Sequence, residues 1–133
     1  MIRLARYIAS LGDVPLLLLG DFNTSPDHSA VLSAEIGQGR LFDMAAVFAR
    51  AQGIDPPNTC HVHQTSIGSR IDLVLANHVL VGCCQDCQPF HDSGLPTHTP
   101  VLVTLATEGV AQQGNCFRSP LAFPFNFRDP DGE

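Results

Sequence analysis

Two different hydrophobic patterns follow each other in the first twenty residues. Residues 1–11 carry apolar side chains at helical spacing, with arginines outside that face, which predicts an amphipathic helix. Residues 14–19 form a continuous apolar run of strand length, which predicts a buried strand that ends at Gly20. A helix that leads into a buried strand is typical of layered α/β folds. The start of the chain therefore indicates the α/β class.

The later pattern predicts two more helices and several strands. The helix-start signal Ser25-Pro26-Asp27 precedes the first of these helices, and Asp43 lies near the first turn of the second. The predicted elements, in order, are helices over residues 27–35 and 41–51, a loop over 53–58, a strand over 59–64, a turn over 66–69, a strand over 70–76, one or two strands over 79–90 and a last strand over 100–105. This mixture of helices and strands supports the α/β class.

Polar residues lie at two of the predicted strands. Asp21 and Asn23 follow the first strand two positions apart, so on an extended segment they point the same way and share one ligand. The alternative is an Asx-type turn that Asp21 caps. Asp72 lies inside the apolar run 70–76, where an unpaired carboxylate is costly to bury. A partner for Asp72 is therefore expected, and Arg70 or a backbone group would serve.

Composition narrows the function. The chain has 133 residues, of which 44% are hydrophobic and 15% charged, so it fits one globular domain with a core. Its net charge is −6 and all seven basic residues are arginine, which excludes a broad basic surface for nucleic acid. A phosphate substrate would therefore require a metal ion or a few focused arginines.

Hydropathy and cysteine usage bear on the cellular setting. No apolar run approaches the roughly 20 residues that span a membrane, and the first residues lack a signal-peptide layout. Five cysteines, two of them adjacent at Cys83 and Cys84, do not read as a disulfide framework. We therefore predict no membrane span and an intracellular, reducing setting, cytoplasmic or nuclear.

The spacing of Cys84 and Cys87 raises the question of a zinc site. Together with two of Cys60, His61 and His63, this C-x-x-C pair would supply four zinc ligands. On a regular strand Cys84 and Cys87 face opposite sides, so we favour the alternative that both are small buried side chains. His61 and His63 share one face of their predicted strand, and filling that face is favoured over an approach to substrate.

Three short motifs occur in a fixed order. They are Gly20-Asp21-Phe22-Asn23, then Ser69-Arg70-Ile71-Asp72 followed by an apolar strand, then Thr97-His98-Thr99-Pro100-Val101. This series resembles the C-terminal half of the endonuclease/exonuclease/phosphatase superfamily, whose members are DNase I-like. The first two motifs match fully, and the third matches at His98, Pro100 and Val101. The resemblance covers residues 1–106.

The resemblance implies half of a four-layer α/β sandwich, with one mixed, mainly antiparallel sheet and helices on one face. Residues 1–106 would form the C-terminal half of the domain, and residues 107–133 a Pro/Phe-rich tail that is irregular or disordered. The family's N-terminal half carries an early Asn and a metal-binding Glu, which this sequence lacks. One apolar sheet face would then stay uncovered, so we expect the missing N-terminal half or a second copy as a partner.

The resemblance also implies hydrolysis of phosphate esters with Mg²⁺ or Mn²⁺. Asp21 corresponds to the residue that orients or deprotonates the attacking water, at the metal site. Asn23 corresponds to the amide that holds this water or the scissile phosphate. Asp72 corresponds to the carboxylate that hydrogen-bonds the catalytic histidine, His98, and a histidine held in this way has a fixed tautomer. Arg70 either pairs with a carboxylate, which we favour, or binds the phosphate.

One residue of the third motif departs from the family. The family has an aspartate directly before its histidine that helps to bind metal, and this chain has Thr97 there. A hydroxyl group is a poorer Mg²⁺ ligand than a carboxylate. Asp92 lies nearby in the sequence and is a candidate replacement.

Two functional hypotheses follow. The first is a metal-dependent phosphodiesterase that hydrolyses a phosphate ester, nucleic acid included, by nuclease-type attack of activated water. Because the family's N-terminal half is missing, this module would be truncated and inactive as this chain alone. The alternative is a catalytically inactive half-domain that serves as a binding or assembly element, which Thr97 also favours.

Overall fold

The computed structural model describes residues 2–61, 67–106 and Glu108. Within these residues the chain forms three α-helices and five β-strands. In chain order they are α1 (Ile2–Leu11), β1 (Leu17–Asp21), α2 (Ala30–Gly37), β2 (Phe42–Asp43), α3 (Met44–Ala51), β3 (Asp72–Ala76), β4 (Cys84–Pro89) and β5 (Val101–Leu105). Short 3₁₀ turns cover Pro26–His28, Val81–Cys83 and His91–Ser93.

Strand β3 lies at the centre of the fold. It pairs antiparallel with β1 along its whole length and with β2 at its last two residues, so that β1 and β2 are the edges of a three-stranded sheet. Strands β4 and β5 form a second antiparallel ladder. The predicted α/β class and antiparallel pairing are confirmed, and the strands are divided between two ladders.

Alternate residues of β3 face two different hydrophobic clusters. Leu73 and Leu75 pack with α1 and α2, together with Leu41. Val74 and Ala76 pack with α3 and with Cys87 of β4. Since successive side chains of a strand point to opposite faces, β3 is buried on both sides. Helices α1 and α2 thus cover one face, and α3 joins the β4–β5 ladder on the other.

The first strand differs from its prediction in position and in burial. It begins at Leu17 instead of residue 14 and continues through Gly20 to Asp21, because each of these residues pairs with β3. The prediction of a buried strand is wrong for its second half, where Leu19 is 58% exposed. The physical reason is that β1 is a sheet edge with little packed over the face that carries Leu19.

Side-chain caps shift the predicted helix boundaries. Helix α2 begins at Ala30 instead of residue 27, because the Ser29 hydroxyl accepts a hydrogen bond from Leu32 N at 3.3 Å. The predicted helix over 41–51 is divided between β2 and α3. Asp43 ends the strand and caps the helix by accepting from Ala46 N at 3.3 Å.

The remaining predictions have different outcomes. The predicted strands over 70–76 and 100–105 are present as β3 and β5, and the segment 79–90 contains one strand, β4. Of the predicted strand over 59–64, the described part forms isolated bridges of Cys60 to Ser69 and to His98. Its other part lies outside the described residues, as do His63 and nearly all of the predicted tail over 107–133.

None of the helices in the described part of the chain has both the length and the apolar character that crossing a bilayer requires.

Candidate active site

Two carboxylates face each other at the end of the β1–β3 ladder. Asp21 pairs with Asp72 in the antiparallel register. The next pair is hydrogen-bonded, since Phe22 N donates to Ile71 O at 2.8 Å. Because such pairs alternate, Asp21 and Asp72 form a non-hydrogen-bonded pair, whose side chains lie closest together. Like charges directly opposite are destabilising, so this pair favours a cation beside it.

His98 is held by one of these carboxylates. Its Nδ1 lies 3.0 Å from Asp72 Oδ2 and 3.2 Å from Asp72 Oδ1. The two side chains are 34% and 22% exposed, so the pair is accessible from solvent. In the neutral imidazole, Nδ1–H donates to Asp72 and Nε2 carries the free lone pair. The partner that the sequence required for Asp72 is therefore His98.

The three side chains form a cluster that suits a divalent cation. Asp21, Asp72 and His98 each offer a ligand atom, and these atoms lie within 4.8 Å of one another. Carboxylate oxygens are the donors that Mg²⁺ and Mn²⁺ prefer, and a magnesium site commonly uses one or two of them. A shallow cleft adjoins the two carboxylates and is lined further by Leu19, Val74, Pro100 and Val101. The donor set thus fits the metal that the sequence suggests.

Asp21 and Asn23 form a turn directly after β1. Asn23 N donates to Asp21 Oδ1 at 2.8 Å, so Asp21 caps an Asx-type turn while it also belongs to the cluster. Asn23 has φ 52°, a left-handed conformation. The assumption of an extended segment through Asn23 is therefore wrong, although the residue is exposed beside the site. Gly20 has φ 153°, which L side chains rarely adopt, and this explains the glycine before Asp21.

Arg70 contacts a different carboxylate from the one expected. Its Nη1 donates to Asp43 Oδ2, and the two side chains are 12% and 5% exposed. Asp43 is also the N-cap of α3, so this buried pair connects the start of α3 to the segment before β3. Pairing with a carboxylate is the structural role that we favoured for Arg70. Its contact with a phosphate stays a prediction.

Thr59 contributes to the site, and our sequence reasoning missed it. Its side-chain oxygen accepts hydrogen bonds from Ile71 N at 3.2 Å and from Asp72 N at 3.0 Å. Its backbone oxygen accepts from Thr99 N at 2.7 Å, directly after His98. Thr59 is 1% exposed and takes the place of a neighbouring strand at the start of β3, where partly buried N–H groups need acceptors. No local pattern around Thr59 signals these distant contacts.

Thr97, which stands where the family has a metal-binding aspartate, directly precedes His98 in the chain. Thr97 is exposed, and its backbone oxygen accepts from His61 N at 2.8 Å. Asp92 lies in the 3₁₀ turn His91–Ser93. A metal-binding role for Asp92 in place of the family residue stays a prediction.

Among the described residues, Cys84 and Cys87 belong to no group of three metal-binding side chains, and His63 of the zinc site that we considered lies outside these residues. A β-bulge between Cys84 and Asp86 changes the register, and Cys84 and Cys87 both pack in the cluster that contains Val74. Burial raises the pKa of Cys87 to about 12 and also raises that of Cys84. Among the described residues, the cluster of Asp21, Asp72 and His98 is the one group of three or more metal-binding side chains. The alternative of small buried side chains therefore fits Cys87.

Comparison with known proteins matches most of the chain to one family. The model of the endonuclease/exonuclease/phosphatase family matches residues 2–93, which is more than half of the chain and includes the motifs at Asp21 and Asp72. The match ends before His98, whose place in the site rests on the structure. No curated protein matches the chain. The extent of the family match shows that the chain belongs to the endonuclease/exonuclease/phosphatase family.

Proposed function

We propose that this chain carries the hydrolytic site of a metal-dependent phosphodiesterase. The observation that supports the proposal most is the convergence of Asp21, Asp72 and His98, whose ligand atoms lie within 4.8 Å of one another. These residues come from the ends of two strands and from the segment before a third. Family membership supports the same general class of reaction, phosphate ester hydrolysis.

Asp21 is the residue that we assign to the attacking water. Its side chain is exposed at the end of β1, and one oxygen is held by Asn23 N–H at 2.8 Å. That hydrogen bond fixes the rotation of the carboxylate, so the other oxygen has a defined direction from which it orients water and accepts its proton. The Asn23 amide is assigned to the same water or to the phosphate.

His98 is assigned to the charge that develops on the phosphoryl oxygens. Asp72 accepts from Nδ1 at 3.0 Å and so holds the imidazole ring in place. The protonated ring presents Nε2–H as a donor, and the neutral ring presents a base. Asp72 is thus assigned a positioning role through His98.

Mg²⁺ or Mn²⁺ is the cofactor that we assign to this site. Asp21 is the principal carboxylate ligand, with Asp72 opposite it in the register. When bound, the ion neutralises charge on the transferring phosphoryl group. The chain has few positive charges of its own for this neutralisation, because its net charge is −6 and Arg70 pairs with Asp43.

The substrate that we propose is a phosphodiester, with nuclease-type cleavage of nucleic acid as the specific form. A metal ion bound beside the carboxylates would attract the phosphate in the absence of a broad basic surface. We propose an intracellular setting on the cysteine pattern of the sequence.

We propose that a partner surface covers one face of this module and completes its site. Leu19 is 58% exposed on the face of β1 that also carries Asp21, which is where a second layer would pack. We propose the family's N-terminal half as the partner for this face, with a second copy of the chain as the alternative. The metal-binding Glu of that half would then complete the site.

A non-catalytic function is the second candidate. The observation that favours it is the exposed Thr97 at the position of the family's metal-binding aspartate. In this alternative, the half-domain keeps the architecture of the site and serves as a binding or assembly element.

The test is hydrolysis of a single-stranded oligonucleotide, with Mg²⁺ or Mn²⁺, by the purified chain mixed with the N-terminal half of another member of the family. We expect cleavage that EDTA abolishes and that Asp21→Asn or His98→Ala lowers by about 10²-fold or more. Asp55→Asn, at an exposed loop position, is the matched control and should cleave like the wild type. Equal cleavage by all variants would contradict the assignment. Metal binding without cleavage would favour the non-catalytic alternative.

A further inference from the structure

A thiol lies against the nitrogen of His98 that Asp72 leaves free. Cys60 Sγ is 3.7 Å from His98 Nε2, on the opposite edge of the imidazole from the carboxylate. We propose that Cys60 and His98 form a binding site for a thiophilic divalent cation, Zn²⁺ or Cd²⁺, beside the carboxylate pair. The site differs from the arrangement of Cys84 and Cys87, of which Cys87 lies in the core and Cys84 packs against it.

The backbone sets the distance between the two ligands. Cys60 and His98 are opposite each other in an antiparallel bridge. Hydrogen bonds on either side of the bridge join Thr99 N to Thr59 O at 2.7 Å and His61 N to Thr97 O at 2.8 Å. This pattern makes Cys60 and His98 a non-hydrogen-bonded pair, in which side chains lie closest together. The two donors are therefore held near each other before any cation binds.

The distance agrees with zinc coordination. Bond lengths of about 2.3 Å to sulfur and about 2.0 Å to nitrogen, at a tetrahedral angle, separate the two ligand atoms by about 3.5 Å. The observed separation of Cys60 Sγ and His98 Nε2 is 3.7 Å. Little movement of either side chain is needed to place a zinc ion between them.

The surroundings of His98 resemble those of zinc-binding histidines in general. Such a histidine usually donates its other N–H to a carboxylate, which fixes the tautomer and makes the ring a better ligand. Asp72 accepts from Nδ1 of His98 at 3.0 Å and meets this requirement. The lone pair of Nε2 then points to the side of the ring where Cys60 lies.

Ligand type separates this site from the carboxylate pair. A thiolate and an imidazole favour Zn²⁺ and Cd²⁺, whereas carboxylates suit Mg²⁺ and Mn²⁺. The His98 side chain is 34% exposed, so a cation can reach it from solvent. The Cys60 thiol gives up its proton to solvent on binding, and water completes the coordination.

One consequence for activity rests on the proposed function. A cation on Nε2 removes His98 from phosphate chemistry, so Zn²⁺ would inhibit Mg²⁺-dependent hydrolysis. Excess Mg²⁺ would not relieve this inhibition, because Mg²⁺ does not compete for a thiolate. The binding itself requires no hydrolysis, so the two proposals fail separately.

The experiment is a titration of the full chain with Cd²⁺, followed by the ultraviolet charge-transfer absorbance of the thiolate–Cd²⁺ bond. We expect one equivalent to produce this absorbance in the wild type, and Cys60→Ala and His98→Ala to remove it. Asp72→Asn should weaken binding by about 10-fold or more, because the outer partner of the histidine is lost. Cys83→Ala is the matched control and should titrate like the wild type.

A second measurement excludes loss of fold as the explanation. Zn²⁺ should raise the thermal unfolding midpoint of the wild type and of Cys83→Ala, and leave that of Cys60→Ser unchanged, while all three give the same far-ultraviolet circular dichroism. The proposal is overturned if Cys60→Ala keeps the absorbance, or if Cys83→Ala loses it. Retention of full Cd²⁺ affinity by His98→Ala would overturn it as well.

Discussion

Asp21 and Asp72 lie directly opposite each other in the β1–β3 ladder and form a non-hydrogen-bonded pair, in which side chains lie closest together. Two carboxylates in this position repel each other unless a cation or a proton lies between them. His98 contacts Asp72 alone of the two, through Nδ1 at 3.0 Å. Asp21 is therefore the carboxylate whose charge has most to gain from a bound cation.

Asp21→Asn should change stability in opposite directions with and without metal. Without a divalent ion, the substitution removes the repulsion and should stabilise the fold by about 0.2–1 kcal/mol. With saturating Mn²⁺ the wild type should gain stability and the variant should not, because binding to the folded state alone stabilises it. The free energy of unfolding in urea, measured with Mn²⁺ and with EDTA, checks both signs. A variant that Mn²⁺ stabilises as much as the wild type would show that Asp21 is not a ligand.

Thr59→Val should destabilise the chain by about 1–3 kcal/mol, because two partly buried N–H groups lose their acceptor. The shape of the side chain is conserved, so the loss reports the hydrogen bonds from Ile71 N and Asp72 N. Thr59→Ser keeps the hydroxyl and should recover most of the stability. Urea unfolding of both variants tests this, and a Thr59→Val variant as stable as the wild type would show that these hydrogen bonds do not stabilise the fold.

Arg70→Met should destabilise by about 3–5 kcal/mol, because it leaves Asp43 charged and buried without its partner. Arg50→Met is the matched control, since Arg50 is exposed at the end of α3 and its loss should change the stability little. Thermal or urea unfolding separates the two. If Arg70→Met instead kept full stability and lost phosphate affinity, the phosphate role of Arg70 would be favoured.

Ionisation of Glu35 should make the stability of the fold depend on pH in the acidic range. Its carboxylate accepts from Arg40 Nε at 2.6 Å and Arg40 Nη2 at 2.7 Å, and this hydrogen bonding lowers the pKa of Glu35 below its ordinary 4.5. A lowered folded-state pKa means that the stabilisation is present above pH 4.5 and is lost as the pH falls through the folded value. Glu35→Gln should therefore be less stable than the wild type near pH 7.

The stability difference between wild type and Glu35→Gln should shrink as the pH falls below 4.5. Unfolding free energies of both proteins from pH 7 to pH 3 give this difference directly. Asp13→Asn is a useful comparison, because Asp13 is 92% exposed and its pairing with His78 should contribute little. A constant difference across the range would show that ionisation of Glu35 does not stabilise the fold.

Local sequence pattern was sufficient for much of the secondary structure. Helix α1 and strands β3 and β5 follow from apolar periodicity, which depends only on neighbouring residues. The boundaries near Ser29 and Asp43 differ, because a single side-chain cap decides where a helix begins. The burial of β1 differs because it depends on what packs over the strand, and periodicity carries no information about that.

At the site, too, some residues were indicated by the sequence and others were found only in the tertiary structure. The sequence by itself indicated Asp21, Asp72 and His98, since a carboxylate in an apolar strand requires a partner and the motifs occur in order. Only the tertiary structure decided that Arg70 pairs with Asp43 and that Thr59 holds the start of β3. It also decided that a thiol lies at the free edge of His98, 38 residues from it in the chain. Such contacts depend on the register and crossing of distant segments, because side chains far apart in sequence meet only where the backbone brings them together.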